Sequence, residues 1–216
     1  SNISVTTDAN GIAEALYTAS TSTSYVSDSI DVVSGSVSST YVMDLQAGSV
    51  SYYTFDPSTD QSITAGGSVS FTITARDQYG NGVVNSGTVN ISTPGSSTAT
   101  VSPSSSLSFS NDSTLSFSVS DNTAGSFTVR AVNASNSDVN GESGLITVSA
   151  ATASQLVRLT AEDPIEVGND RLIQFRLEDA YGNEISNGAV TFTRVRGNGT
   201  FSNGLSNISV TTDANG

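Results

Sequence analysis

Apolar residues alternate with Ser and Thr along most of this chain, and that pattern constrains its fold more than any other feature. In residues 69–75, Val, Phe, Ile and Ala alternate with Ser and Thr, and residues 115–119 repeat the arrangement. A period of two gives a β-strand one apolar face and one polar face. Gly, Pro, Asn and Asp interrupt the pattern, as is typical of turns. The sequence therefore predicts an all-β chain of antiparallel β-sandwiches.

The apolar members of these alternating segments are the positions expected to fill the core. They are Val69, Phe71, Ile73, Ala75, Val89, Ile91, Leu107, Phe109, Leu115, Phe117, Val119, Phe127, Val129, Ile146 and Val148. Residues 12–20 also fit a short helix, but their β-rich flanks favour a strand. The first strand of the central domain stays open at this point: it is residues 41–45, residues 51–55, or both as a broken edge strand.

The two ends of the chain carry the same sequence. Residues 1–11 and residues 206–216 both read SNISVTTDANG, at an offset of 205 residues. A duplicated expression tag would also produce identity, but the segment has the alternation of a strand and no tag chemistry. We therefore predict a tandem array with a period of 205 residues, of which this chain covers slightly more than one period.

A weaker repeat lies inside the period. Residues 66–92 align with residues 168–193, and the ITAG segment at 63–66 aligns with IEVG at 165–168. The alignment places Asp77, Tyr79, Gly80 and Asn81 on Asp179, Tyr181, Gly182 and Asn183. One period therefore contains two related domains. This predicts an intact domain at 39–153 and a second domain that is split between the two chain ends.

The split domain has its two halves in reverse order along the chain. Residues 1–38 are expected to be its C-terminal half, and residues 154–216 its N-terminal half. Because a sandwich of this kind has its termini at opposite poles, the two halves are not expected to reach each other around the intact domain. A neighbouring repeat would complete the split domain. The strands expected to carry this head-to-tail assembly contain Ile3 and Val5 in one copy and Ile208 and Val210 in the other.

Composition excludes several classes of function. The chain has no Cys, His or Lys, so it offers no thiolate or imidazole ligand, no Ser-His-Asp triad and no Schiff-base lysine. Its net charge of −13 disfavours binding to nucleic acid or to anionic membranes. No stretch is long and apolar enough for direct membrane insertion. We therefore expect neither an enzyme nor a catalytic residue.

The repeated pattern resembles bacterial immunoglobulin-like domains of invasin/intimin-like adhesins and giant surface-protein stalks. It consists of the turn at Gly66, an alternating strand, a D-x-Y-G-N turn at 77–81, a G-x-V strand and TTDANG. The resemblance implies tandem Ig-like sandwiches, one intact and one split, at a prokaryotic cell surface. It also implies a structural role in an extracellular fibre or stalk that assembles with itself, and it transfers no catalytic residue.

The D-x-Y-G-N segments at 77–81 and 179–183 are the best-defined motifs. As functional elements they would be recognition loops or would supply calcium carboxylates. As structural elements they would be turns that end strands, with Gly at positive φ, Asn bonded to the local backbone and Tyr packed over the sandwich edge. The structural interpretation is the one expected.

Two ligand hypotheses remain. Asn136, Asp138, Asn140 and Glu142 match the first half of a calcium loop, but Thr147 occupies the position of the closing acid, so a plain hairpin loop is the alternative. A glycan- or surface-binding adhesive module is the alternative function. The aromatic segment 52–55 would form its sugar platform, although alternate strand positions more often pack in a core.

Overall fold

The structure is a computed structural model that describes residues 2–24, 26–84 and 86–216. Over these residues it has seventeen β-strands and no helix, and accordingly it has no helix suited to crossing a membrane. The strands are β1 (Ser27–Ser34), β2 (Val37–Asp44), β3 (Tyr52–Asp56), β4 (Gln61–Thr64), β5 (Ser68–Arg76), β6 (Thr88–Ser92), β7 (Thr100–Ser102), β8 (Ser106–Ser108), β9 (Thr114–Ser120), β10 (Gly125–Phe127), β11 (Arg130–Asn133), β12 (Asn140–Glu142), β13 (Ile146–Ser149), β14 (Ala153–Arg158), β15 (Phe175–Asp179), β16 (Ala189–Thr193) and β17 (Asn207–Thr211).

Strands β3 to β13 form a central sandwich. One sheet has the order β3-β5-β9-β7, and a second has the order β12-β11-β6-β8. A third, three-stranded sheet has the order β10-β13-β4, in which β13 and β4 run parallel. All other pairings in the sandwich are antiparallel, as the alternating pattern predicts. The all-β fold expected from the sequence is therefore confirmed.

A single hydrophobic cluster fills the sandwich. The fifteen alternating positions named above all belong to it, either buried or packed against it. Phe55, Phe71 and Phe117 meet in its centre, where Phe55 lies edge-on to Phe71 at a centroid distance of 5.7 Å. Such edge-to-face contacts add to the free energy that burial of the rings supplies. The Ser and Thr residues between the core positions lie on the outer faces, and Thr72 bonds to Ser116 across β5 and β9.

The structure resolves the open question of the first strand of the sandwich. Strand β3 pairs with β5 from Tyr52↔Arg76 to Asp56↔Thr72, so the second of the two candidate segments is the first strand. Residues 41–44 belong instead to β2, which pairs with β1 in a separate hairpin from Ser27↔Asp44 to Ser34↔Val37. This hairpin extends across the predicted boundary between residues 38 and 39, where the intact domain is expected to start. The linker to the sandwich comes after it, at residues 45–51.

The segments on either side of the sandwich form only small sheets. Strands β14 and β15 pair with each other, and so do β16 and β17. The β1-β2 hairpin pairs with none of these strands in the described chain. Many large apolar side chains of the two segments are exposed, among them Val32, Tyr41, Leu172 and Val195.

Two sequence expectations for the N-terminal segment differ from the structure. The predicted strand at 12–20 is wrong, since these residues lie in neither strand nor helix. Ile3 and Val5, the expected assembly residues, also lie outside any strand, and Ile3 is 67% exposed. The two segments have the same feature in common: no strand of the described chain pairs with either of them. Ser1, the first residue of the repeat, lies outside the described residues.

Candidate functional site

The two D-x-Y-G-N segments form loops of the same geometry. In the first, Asp77 Oδ1 accepts hydrogen bonds from the backbone N–H groups of Tyr79 and Asn81, both at 2.9 Å. In the second, Asp179 Oδ1 accepts the bonds from Tyr181 and Asn183 at 2.8 and 2.9 Å. Gly80 and Gly182 adopt φ values of 87° and 85°, which a side chain would disfavour. Each carboxylate thus stabilises the turn of its own loop by accepting two backbone hydrogen bonds.

The first loop connects the sandwich to the segment before it. Asn81 Nδ2 donates to Thr21 O at 2.9 Å, and Asn81 Oδ1 accepts from Thr23 N at 3.0 Å. Asp77 Oδ2 accepts from Gly48 N in the linker at 2.9 Å. We call this arrangement the first joint: loop 77–81, residues 21–23 and Gly48.

The second loop makes the equivalent bonds with residues 122–124 of the sandwich and with the linker that follows the sandwich, at residues 150–152. Asn183 Nδ2 donates to Asn122 O, and Asn183 Oδ1 accepts from Ala124 N, both at 2.8 Å. Asp179 Oδ2 accepts from Ala151 N in the second linker at 2.8 Å. We call this arrangement the second joint: loop 179–183, residues 122–124 and Ala151. In both joints the Asn side chain bonds to backbone groups of the contacted segment, and in the first joint Asn81 Oδ1 also accepts a bond from Thr23 Oγ1 at 3.3 Å.

The two joint carboxylates are buried and ionised. Asp77 is 1% exposed and Asp179 is 0% exposed. The hydrogen bond from the Asn81 side chain, with further bonds from backbone amides, outweighs burial and lowers the pKa of Asp77 to about 2. Burial raises the pKa of Asp179, but bonds from Asn183, Ala151 and Tyr181 outweigh it and lower that pKa to about 2 as well. Multiple N–H donors to one carboxylate favour its charged form in this way.

The second joint also has an apolar contact. Tyr181 lies over Gly66, because a Cβ atom built on Gly66 would be 2.2 Å from Tyr181 Oη and 2.8 Å from its ring Cζ. Only glycine therefore accommodates the ring at this position. Asp121 precedes the sandwich residues 122–124 that belong to the second joint. Its carboxylate stabilises this loop by accepting bonds from Ser96 Oγ and Thr123 N at 2.6 and 2.9 Å.

The candidate calcium residues make contacts with the chain itself. Asn136 Oδ1 accepts from Asp138 N at 3.1 Å, and Asn140 Nδ2 donates to Asp138 O at 3.1 Å. Glu142 Oε1 accepts from Thr128 Oγ1 at 2.6 Å. In the part of the chain that the structure describes, no three acidic side chains are grouped so that they could hold a metal ion. Calcium binding at this loop stays a prediction.

The aromatic segment of the alternative function is divided between the core and the surface. Tyr53 and Phe55 are buried in the sandwich, where Tyr53 stacks on Phe109 at 5.9 Å. Of the three aromatic residues, Tyr52 alone is exposed. They therefore do not form a sugar-binding platform.

When the chain is compared with known proteins, the similar ones are found among solved structures. No protein-family model matches the chain, and no curated protein sequence matches it. Domains 4 and 5 of the S-layer protein SbsC are 26% identical over 52% of this chain and 59% of that one, with a TM-score of 0.39. InvD of Yersinia pseudotuberculosis is 18% identical over 87% of this chain and 60% of that one, with a TM-score of 0.45.

A further match is the C-terminal 282-residue fragment of intimin in complex with the intimin-binding domain of its translocated receptor, Tir. It is 15% identical over 51% of this chain and 35% of the fragment, with a TM-score of 0.37. The chain thus spans less than two thirds of each of these structures. Because the TM-scores are low, the fold described above rests on the strands and the core of this chain alone.

The sequence did not predict that the D-x-Y-G-N loops contact residues far from them along the chain. The motif singled out the right residues, but their expected hydrogen bonds were local. The bonds from Asn81 to residues 21–23 and from Asn183 to residues 122–124 span about sixty positions. The signal that could have indicated them is the recurrence of an Asn at the end of both loops, beyond the Asp and Gly that the turn itself requires.

Proposed function

We propose that this chain is a structural repeat unit of a long extracellular fibre, stalk or adhesin at a prokaryotic cell surface. Each 205-residue period contributes two Ig-like domains, and successive units assemble head-to-tail by completing the split domain. The unit has no catalytic role in this proposal. With strands of about 3.3 Å per residue, two such domains advance a fibre by roughly 80 Å per period.

One observation carries the proposal: identical sequences at the two ends have different structures. The C-terminal copy forms β17, which pairs with β16 at Thr191↔Ser209. The internal repeat aligns β16 with β6, and β17 pairs with β16 at Val190↔Val210 as β8 pairs with β6 at Val89↔Leu107, so β17 occupies the place of β8 in its own domain. The N-terminal copy has the same strand sequence and no pairing partner in the described chain. The partner strand would be β16 of a preceding unit, where the N-terminal copy takes the place of β17, which has the same sequence.

The two incomplete segments are also complementary. Strands β14 to β17 correspond to β3, β5, β6 and β8 of the sandwich, as the isolated bridges Arg76↔Gly82 and Glu178↔Glu184 show at the same spacing. The β1-β2 hairpin directly precedes a linker, as β11 to β13 do. Joined together, the segments would bring six strands into one domain, and the exposed apolar residues of each would be covered. The contact is heterologous, so it propagates as an open chain of units.

Light scattering coupled to size exclusion tests the proposal. The 22.0 kDa chain should form a concentration-dependent series of oligomers whose masses are multiples of the monomer. The series should have no fixed end point, because an open assembly leaves one unpaired segment at each end. A compact monomer at every concentration up to the millimolar range would contradict the proposal.

A phase-shifted chain provides the matched control. Residues 47–205 followed directly by residues 1–46 retain every position of one period and keep the order of the array, but place both domains intact in one molecule. This chain should be monomeric and should melt at a higher temperature than the original. If it forms the same oligomers as the original chain, completion of the split domain is not the cause of association.

A further inference from the structure

The first joint lacks one part that the second joint possesses. The backbone hydrogen bonds of their Asn and Asp side chains correspond one to one, and Asn81 Oδ1 alone also accepts from a hydroxyl group, that of Thr23. Tyr181 of the second joint and Tyr79, its counterpart in the first joint, are exposed to a similar extent, at 51% and 60%, so the difference between them is the contact that Tyr181 makes with Gly66. The counterpart of Gly66 is Gly168, in the IEVG segment, and no atom of the residues that the structure describes lies within 4 Å of a Cβ position on it. The chain thus makes the Tyr–Gly contact once, between Tyr181 and Gly66. It also contains the two residues of a second such contact, Tyr79 and Gly168, which do not meet within one chain.

We propose that Tyr79 packs over Gly168 of a second copy of this chain, so that every junction in the assembled array has the same joint. This inference rests on the proposed function, because it requires the second copy to precede the first in a head-to-tail assembly. It adds a specific contact outside the completed split domain. In this contact the 77–81 loop of one copy meets the IEVG turn of another.

The order of the domains determines which copy supplies the glycine. The central sandwich offers Gly66 to the loop of the domain that follows it. By the same order, the domain that precedes the sandwich must offer its own turn to Tyr79. Within this chain that domain has only its second half, residues up to the β1-β2 hairpin, and its IEVG turn is absent. The only IEVG turn of the chain lies beyond the sandwich, so a preceding copy must supply it.

The chemistry of the joint suits a partner of identical sequence. Asn81 already pairs with backbone groups of residues 21 and 23, which fixes the loop against the preceding domain before the second copy arrives. Tyr79 then presents an aromatic ring to a turn without a side chain, where close packing requires glycine. The three contacts of the joint, to the loop, to the linker and to the turn, would restrain the domain orientation at each junction.

Matched tyrosine variants test the contact. Tyr79→Ala should weaken association of the chains about tenfold, as loss of an aromatic anchor at an interface does. Tyr181→Ala removes the same ring from the joint within one chain, so it should leave the association constant within about twofold of the wild type, since it disturbs no contact between copies. Sedimentation velocity over a concentration series measures both. Equal effects of the two variants, or no effect of Tyr79→Ala, would overturn the inference.

Matched glycine variants give an independent measurement. Gly168→Ala places a Cβ atom where the ring of Tyr79 is expected, so association should weaken. Gly204→Ala is the control, because Gly204 has a similar positive φ of 76° and likewise nothing within 4 Å of a Cβ position. If both variants associate equally well, the inference fails while the proposed function stands. If the wild-type chain never associates, both fail together.

Discussion

The central sandwich and the segments beside it share one sequence pattern but differ in what they bury. Both contain strands in which apolar residues alternate with Ser and Thr. Among the described residues, every buried apolar side chain but one belongs to the sandwich, and the exception is Val190 in β16. In the flanking segments, as far as the structure describes them, β1 pairs only with β2, β14 only with β15, and β16 only with β17.

The difference shows that alternation specifies an apolar face without supplying what covers it. A two-stranded pair buries little, and a stable core requires a second sheet against the first. The sandwich has all of its sheets within 98 consecutive residues, from Tyr52 to Ser149. The flanking segments have their strands at opposite ends of the chain. Four experiments below test this contrast, in order of decreasing effect.

Removal of one aromatic side chain from each region should give the largest contrast. Phe71 is 1% exposed and contacts Phe55 and Phe117, so Phe71→Ala should lower the free energy of unfolding by about 3–5 kcal/mol. Phe192 in β16 is only half-buried, and Phe192→Ala should cost about 1 kcal/mol or less at concentrations where the chain is monomeric. Guanidinium denaturation followed by circular dichroism measures both. Equal losses would mean that the flanks have a core of their own.

Two Gly→Ala variants test the same difference in packing without introducing a polar group. A Cβ atom on Gly141 would lie 2.2 Å from Tyr53 O in the backbone of β3, so Gly141→Ala should destabilise the sandwich by about 1–3 kcal/mol. Gly199 has nothing within 4 Å of a Cβ position, and Gly199→Ala should be neutral or stabilising by less than about 1 kcal/mol. The measurement is the urea midpoint of each variant at equal concentration. A destabilising Gly199→Ala would contradict the open packing of the flank.

The core could be predicted from the sequence because it depends on a local pattern. A period of two decides which residues of a strand face inward, and the positions from Val69 to Val148 needed no knowledge of the strand order. The pattern did not predict β2 as the partner of β1, because Tyr41–Leu45 has the same alternation as a first strand of the sandwich. It also failed at residues 12–20, where a strand-like sequence has no partner.

The sequence predicted the turns of the candidate site but not the contacts that these turns make with distant residues. Asp, Gly and Asn in the D-x-Y-G-N loops indicate a turn because their preferences act within five residues. The contacts from Asn81 to Thr21 and Thr23, and from Tyr181 to Gly66, depend on how the sandwich and the segments on either side of it meet. No property of a single loop specifies that arrangement. The repeat itself was the useful guide, since the two loops make the same bonds.

Acid should weaken both joints. The pKa values of Asp77 and Asp179 are lowered from 3.8 to about 2, so their bonds stabilise the folded chain fully above about pH 4. This contribution is lost as the pH falls towards 2, because protonation removes the charged acceptor that the amide groups favour. The urea midpoint of the wild type should fall over this range. Asp179→Asn should show a smaller fall, and an equal fall in that variant would exclude Asp179 as a cause.

Calcium should have the smallest effect, and it acts on a sandwich loop instead of the joints. Asn136, Asp138, Asn140 and Glu142 supply a partial ligand set, for which a dissociation constant of about 1 mM is reasonable. At 1 mM calcium such a site would add about 0.4 kcal/mol to the free energy of unfolding, a rise of about 2–3 °C in the melting temperature. Thermal melting with calcium and with magnesium measures the shift, and Asp138→Ala should abolish it. A much larger shift that survives Asp138→Ala would place the ion elsewhere, and a change confined to the oligomers would place it where the copies meet.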